Sequence, residues 1–296
     1  MTTTYNTGIV GLGSMGFGMA TSLVKAGIDT WGFDINQDQL ANFEQNGGKT
    51  GKLLEIAPTL DCLILVVVNA AQTESILMQP NLLATLKEGA VVVSCATVPP
   101  EFAKTMEANC HNEGLHYLDA PISGGSVKAA AGKITVLAAG TRNAFNTAQP
   151  ALDAMAEKVF NLGNQAGPGS ALKAVNQLLA GVHIAAAAEA ITFGLSQGVD
   201  AKTTVDVISQ CAGTSWMFEN RGPHIVEGDY TPHSAVDIFV KDLGIVCDIG
   251  HASKFALPLS AAALQQFIAA AGSGLGGEDD SAVAKVYARN GGVTLP

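Results

Sequence analysis

Over roughly the first 160 residues, short apolar runs alternate with segments whose apolar positions recur at helical spacing. The runs at 8–12, 30–33, 62–68, 91–95, 116–120, 134–139 and 159–162 are predicted strands, and 17–25 and 101–113 are predicted helices between them. Val66-Val67-Val68 and Val91-Val92-Val93 are continuous rather than alternating, as in strands covered on both faces. Strand and helix in alternation predict a doubly wound parallel sheet, an α/β architecture.

After Gly163 the pattern changes. Gln165-Ala166-Gly167-Pro168-Gly169 is rich in turn formers, and a long Ala-rich helical pattern follows over 170–197. The segments 201–210, 234–251, 258–271 and 281–288 also read as helices, with 272–280 as a short loop and no strand among them. The boundary is expected near 166: an α/β domain over 1–166, then an all-helical domain over 167–296 that opens with a long interdomain helix. The longest apolar stretch, 178–196, is broken by His183 and Glu189 and dominated by Ala and Gly, so it reads as a packed helix rather than a membrane span.

Composition narrows the function. With 296 residues the chain has room for two ordinary domains. Sixteen Lys and Arg against 26 Asp and Glu give a net charge of -10, which excludes a protein that collects nucleic-acid phosphates by net positive charge. Only 14% of residues are charged, against about 25% in average soluble proteins, so part of the surface is expected to be buried in a homo-oligomer. The five cysteines are widely spaced without a CxxC, and the six histidines form no HExxH; neither a disulfide framework nor a metal site is expected. Met1-Thr2-Thr3-Thr4-Tyr5-Asn6 lacks the basic and apolar regions of a signal peptide, which with the unpaired cysteines suggests the cytoplasm and no membrane partner.

Gly11-Leu12-Gly13-Ser14-Met15-Gly16 follows the first predicted strand and opens the first helix. Glycine suits each place: Gly11 for the tight turn, Gly13 for close approach of a pyrophosphate, Gly16 for close packing of helix on strand. The pattern alone is weak, but Asp34 stands at the end of the second strand, eighteen residues past Gly16, where a carboxylate accepts both ribose hydroxyls and repels a 2'-phosphate. Strand, turn, helix and acid together predict a Rossmann-type domain that prefers NAD over NADP. Capping of the turn Asp34-Ile35-Asn36 is the plainer role for that acid. Val67 and Val68 are candidate apolar walls for the cofactor or simple strand core, and Thr97 offers a hydroxyl near the nicotinamide or an ordinary turn ahead of Pro99-Pro100.

A dehydrogenase needs a proton acceptor beside the alcohol and an anchor for the acid. No His-Asp pair suggests itself, which leaves lysine. Lys173, Asn176 and Gln177 stand at i, i+3 and i+4 on the long helix and share one polar face, although a solvated stripe has the same pattern. Ser123-Gly124-Gly125 follows a strand and offers a hydroxyl and backbone amides to a carboxylate, or is an ordinary turn. Lys241-Asp242 sits among apolar neighbours in a helix, where a surface ion pair is the common explanation.

Taken together, these residues resemble the β-hydroxyacid dehydrogenase family, relatives of 3-hydroxyisobutyrate dehydrogenase and tartronate semialdehyde reductase. The likeness runs through four ordered segments: Gly11 to Gly16; Asp119-Ala120-Pro121-Ile122-Ser123-Gly124-Gly125; Gly169 through Lys173 to Asn176; and Lys241-Asp242-Leu243. It implies that the first segment, Gly11, Leu12, Gly13, Ser14, Met15 and Gly16, binds the dinucleotide, that the second binds substrate, and that Lys173 is the catalytic lysine. It further implies that Asn176 positions the substrate, that Thr97 lies at the nicotinamide, that Lys241 borders the cofactor and Asp242 the cleft, and that the helical domain mediates oligomers. Gln177 stands where many members carry a second asparagine, and Gly132-Lys133-Ile134-Thr135 replaces the usual Gly-Thr-Leu-Thr. Trp216-Met217-Phe218-Glu219-Asn220-Arg221 and Asn176-Gln177-Leu178-Leu179 are similar to members that oxidise L-threonate, a four-carbon sugar acid, at its 2-hydroxyl. The same residues would suffice for a reductase of tartronate semialdehyde or glyoxylate, or for a 3-hydroxyisobutyrate dehydrogenase. A non-catalytic dinucleotide sensor would have no need of Lys173.

Overall fold

Residues 5–296 are described in a computed structural model. The reading of the first six residues as lacking a leader therefore lies, for Met1 to Thr4, outside the described residues. The chain packs as two compact units, Met1–Lys173 and Ala174–Pro296.

The first unit is built on six parallel strands: β1 (Asn6–Val10), β2 (Asp29–Phe33), β3 (Lys49–Thr50), β4 (Cys62–Leu65), β5 (Val91–Ser94) and β6 (His116–Asp119). Their order across the sheet is β3-β2-β1-β4-β5-β6. The winding reverses between β1 and β4, so the connections there part to opposite faces and leave a crevice at the carboxyl ends of those strands. The continuous apolar runs are explained by two covered faces. In β4 and β5 alternate residues go to separate cores: Ile64, Val91 and Val93 join Ile9, Met19 and Leu23 on one face, while Leu63, Leu65 and Val92 join Tyr117 and Met106 on the other.

Two predicted strands do not extend this sheet. A second sheet of three strands forms from β7 (Ile122–Ser123), β8 (Ile134–Ala138) and β9 (Ala156–Asn161), with β7 antiparallel to β8 and β8 parallel to β9. The chain reverses after β6, where Asp119 bridges antiparallel to Ala139, and this reversal takes β8 out of the parallel register. The run at 62–68 also ends early as a strand, at Leu65.

The second unit is helical. The greater part of the long helix Pro168–Ser196 lies in it, with Ala201–Ile208, Trp216–Glu227, Val236–Ser253, Pro258–Ala270 and Ala284–Gly291. Ile184, Ala188 and Ile191 of the long helix pack into a core with Phe239, Leu243 and Phe267, the two phenyl rings stacked 5.2 Å apart. Trp216–Glu227 was not predicted; Gly222 and Pro223 in its interior disguise it, and Ser215 starts it by accepting from the Phe218 amide. The expected loop at 272–280 begins instead as a wide helical turn, Ala271–Leu275. By length and composition the long helix alone, among the described residues, could cross a membrane, and 44% of its most apolar stretch is buried in the protein.

Candidate active site

The glycine-rich turn is shaped by backbone contacts that side chains would block. Gly11 has φ +94°, and a Cβ there would stand 2.3 Å from the Val66 carbonyl oxygen; at Gly16 it would stand 1.9 Å from the oxygen of Gly11. Val66, which the sequence reading did not single out, is thus the wall against which the turn closes, and its amide donates to the Val10 carbonyl. Gly13 differs: a Cβ on it would meet nothing within 4 Å. The protein's own packing does not demand glycine there, but a group lying against the backbone would. That open cradle sits at the start of the helix Gly16–Lys25, at the positive end of its dipole, and so fits a dinucleotide pyrophosphate. A groove of about 560 Å³ begins here, lined by Gly13, Ser14, Phe17, Gly18, Ser126 and Val127 among others.

Asp34 closes the turn from the second strand. The Leu12 amide donates to its Oδ2 at 2.6 Å and the Asn36 amide to its Oδ1 at 2.8 Å. The plainer capping role is therefore realised, while each carboxylate oxygen keeps a second lone pair for a ribose hydroxyl. Leu12 serves the fingerprint through that amide; its side chain is fully buried core. Met15 is half-buried beside that core. Val67 is half-buried and Val68 about half exposed, beyond the end of β4, with the Val68 amide donating to Gln72 Oε1. Thr97 is half-buried in the loop between β5 and the helix Pro100–Asn112.

The segment after β6 and the start of the long helix are tied together by two independent contacts. Asp119 Oδ2 accepts from the amides of Gly167 and Ser170, each at 2.9 Å, and its Oδ1 accepts from Ser170 Oγ at 2.6 Å. A carboxylate distant in sequence thus caps the helix, satisfying amides that would otherwise be orphaned. Burial pushes the Asp119 carboxyl above the usual carboxylate range, opposed by these hydrogen bonds from Ser170 and Gly167. One turn further on, Lys173 Nζ donates to the Ile122 carbonyl at 2.9 Å, and the residue is only 8% exposed. Lys173 is thus tied to the residue that precedes Ser123 and the exposed pair Gly124-Gly125, whose φ values of +131° and +74° turn the backbone where a Cβ would be strained.

Beyond Lys173 the same helix carries Asn176, which is exposed, and Gln177, which is buried. Asn176 Nδ2 donates to Gln177 Oε1 at 2.8 Å, and Gln177 Nε2 donates to Asp242 Oδ2. Lys241 Nζ lies 2.8 Å from the other Asp242 oxygen. Asp242 is buried, and Lys241-Asp242 is thus no surface ion pair. Ser170 and Val66 are contributors that sequence reasoning missed, and Asp119, named there only as the first residue of the segment expected to bind substrate, was not expected to cap the long helix. Among the described residues no three His, Cys, Asp or Glu side chains converge as metal ligands.

Comparison with known proteins agrees with this geometry. Residues 6–163 match the family described as the NAD binding domain of 6-phosphogluconate dehydrogenase, and residues 167–287 the one described as NAD-binding of NADP-dependent 3-hydroxyisobutyrate dehydrogenase. The chain is 50% identical over 293 residues to the L-threonate dehydrogenase of Cupriavidus necator, covering 98% of both proteins. It is 47% identical to the enzyme of the same name from Escherichia coli K12, covering 99% of this chain and 97% of that one. The crystal structure of a Salmonella typhimurium 3-hydroxyisobutyrate dehydrogenase, 47% identical, superposes with a TM-score of 0.89 over 95% of this chain and 99% of that one. A sheet unit with an open glycine cradle, a buried lysine held at its strand ends and these relatives lead to one assignment: the chain belongs to the 3-hydroxyisobutyrate dehydrogenase-related family of NAD-dependent hydroxyacid dehydrogenases.

Proposed function

We propose that the protein oxidises L-threonate at its 2-hydroxyl to the 2-oxo acid, with Lys173 as general base. The observation that supports this reading is the hydrogen bond from Lys173 Nζ to the carbonyl of Ile122, the residue that precedes Ser123, Gly124 and Gly125 in the chain. The Ser123 hydroxyl and the amides of Gly124 and Gly125 hold the substrate carboxylate. The unprotonated amine of Lys173 takes the hydroxyl proton as the carbinol carbon becomes a carbonyl, and Asn176, one turn along the helix, fixes the orientation of the acid. NAD would be held at Gly11 to Gly16 and Asp34 with Val67, Val68 and Thr97 around it, and when bound would supply the acceptor for the hydrogen that leaves carbon with its electron pair. The names of the relatives at 47–50% identity support L-threonate as the acid.

Absorbance of NADH across C3 to C6 hydroxy acids, with NAD and NADP and including 3-hydroxyisobutyrate, tests the substrate; absence of turnover with L-threonate overturns it. NADH-linked reduction of tartronate semialdehyde or glyoxylate, measured alongside, tests the direction. Lys173→Ala is expected to lower kcat by about 10² to 10⁴, the span of a general base, with NAD affinity little changed; near-normal kcat removes Lys173 from the chemistry. We also infer a homo-oligomer in the cytoplasm. The low charged fraction supports the first, and the five cysteines, all unpaired, support a reducing compartment.

A further inference from the structure

Asn176 and Gln177 are neighbouring carboxamides with different surroundings. Asn176 is exposed, whereas Gln177 and Asp242 are 7% and 2% exposed. A carboxamide has a donor end and an acceptor end, and which end faces a ligand decides what that ligand must offer.

Here the choice is dictated from the buried end. Asp242, with Lys241 Nζ 2.8 Å from its Oδ1, presents its other oxygen, Oδ2, as an acceptor, and Gln177 turns its Nε2 toward it. That leaves Gln177 Oε1 facing Asn176, which must answer with Nδ2, at 2.8 Å. Turning Asn176 over would set Oδ1 against Oε1, two acceptors at hydrogen-bond distance; turning both amides would set Oε1 against a carboxylate. Each alternative loses a hydrogen bond and gains a repulsion, and the second does so in a buried place where an unpaired polar atom costs most. Asn176 Oδ1 is therefore held away from Gln177 as the acceptor on the exposed side.

We propose that Gln177 is a positioning residue which relays the polarity of Asp242 to Asn176, so that Asn176 accepts a hydrogen bond from a substrate hydroxyl beside the reacting carbon. The site then selects polyhydroxylated acids over acids that carry a methylene at that carbon. This rests on the functional reading above, with Asn176 at the substrate, and names what the substrate must carry. The extra methylene of glutamine, compared with asparagine, gives position 177 the reach from the long helix to Asp242 on Val236–Ser253 while it still meets Asn176.

The test compares kcat/KM for L-threonate with that for its 3-deoxy counterpart, 2,4-dihydroxybutanoate, in the wild type, Gln177→Leu and Asp242→Asn. Asp242→Asn keeps the volume but offers Gln177 either polarity, and circular dichroism checks that both variants are folded. The wild type is expected to favour L-threonate by about tenfold or more, the worth of one hydrogen bond. In both variants that preference should fall to within about threefold, through a higher KM for L-threonate, while the KM for the deoxy acid stays nearly constant. Variants that keep the full preference, or that lose both acids equally as a merely structural defect would make them do, overturn the proposal and leave the reaction standing. A wild type that turns over neither acid with NAD overturns the functional reading itself, and the relay as a specificity device with it.

Discussion

A buried carboxylate costs free energy unless donors surround it, and Asp119 accepts from three: the amides of Gly167 and Ser170 and the Ser170 hydroxyl. Burial still outweighs them and raises its pKa. The folded protein therefore binds this proton more tightly than the unfolded chain, so the contribution to stability is fully present below the ordinary carboxylate value of about 3.9 and is lost as pH rises through the higher folded value. Urea midpoints of the wild type and Asp119→Asn, which has no such proton to lose, are expected to show the wild-type advantage shrinking as pH climbs from about 4; a constant or growing advantage would mean that the hydrogen bonds outweigh burial. Asp34 makes a different case, because it closes the turn through the Leu12 amide and is also the acid expected to read the ribose. Asp34→Ala is expected to reduce the preference for NAD over NADP, read as the ratio of the two kcat/KM values, and an unchanged ratio means that the ribose is read elsewhere. The glycine pattern and Asp34 were legible in the sequence because the turn they form is local. The capping role of Asp119 was not, since its donors lie 48 and 51 residues away and nothing near it in the chain announces them.

At the scale of elements, the long helix begins where it does because its first turn is seated on backbone. A Cβ at Gly169 would stand 2.5 Å from the Leu137 oxygen and 2.6 Å from the Asp119 oxygen, both carbonyls of strand ends that cannot swing aside. Gly169→Ala must therefore shift the helix start, at a cost of about 1–3 kcal/mol, the usual price of overpacking, and with it the Lys173 amine one turn on. A lower Tm together with reduced kcat is expected; a variant with unchanged kcat would separate the seating of the helix from the placement of Lys173. Most elements were readable because their burial is regular: β4 and β5 are covered on both faces and show it as unbroken apolar runs. The elements that escaped are short strands whose pairing is decided at long range and a helix whose period is interrupted. Strand β3 has two residues, β7 lies within a Pro-Ile-Ser-Gly-Gly stretch that looks like a turn, and Trp216–Glu227 hides its period behind an internal Pro. Strand periodicity likewise does not say which sheet a strand joins, so β8 and β9 looked like continuations of the first sheet and formed a second.

For the whole molecule the question is what covers the outer side of the long helix. Its inner side is core, but Val175, Leu179, Ala186, Ala190 and Phe193 are exposed, three of them large apolar side chains at 52%, 48% and 64% of their full area. At 100° per residue these five positions fall within roughly 60° of the helix circumference, a continuous apolar stripe rather than scattered exposure. A chain with 14% charged residues has few groups with which to keep such a stripe solvated, and burial against a second copy removes it from water without any new element. Homo-oligomerisation is therefore expected to depend on this stripe. Light scattering behind size exclusion should give the wild type a mass that is a multiple of 30.3 kDa, and Leu179→Glu with Phe193→Glu should move it toward a single chain. Unchanged secondary structure in the double variant would show that the charges act on association and not on folding. A wild type that elutes as a monomer at micromolar concentration would leave the stripe without this role, whereas a double variant of undiminished mass would move the interface to another face of the chain.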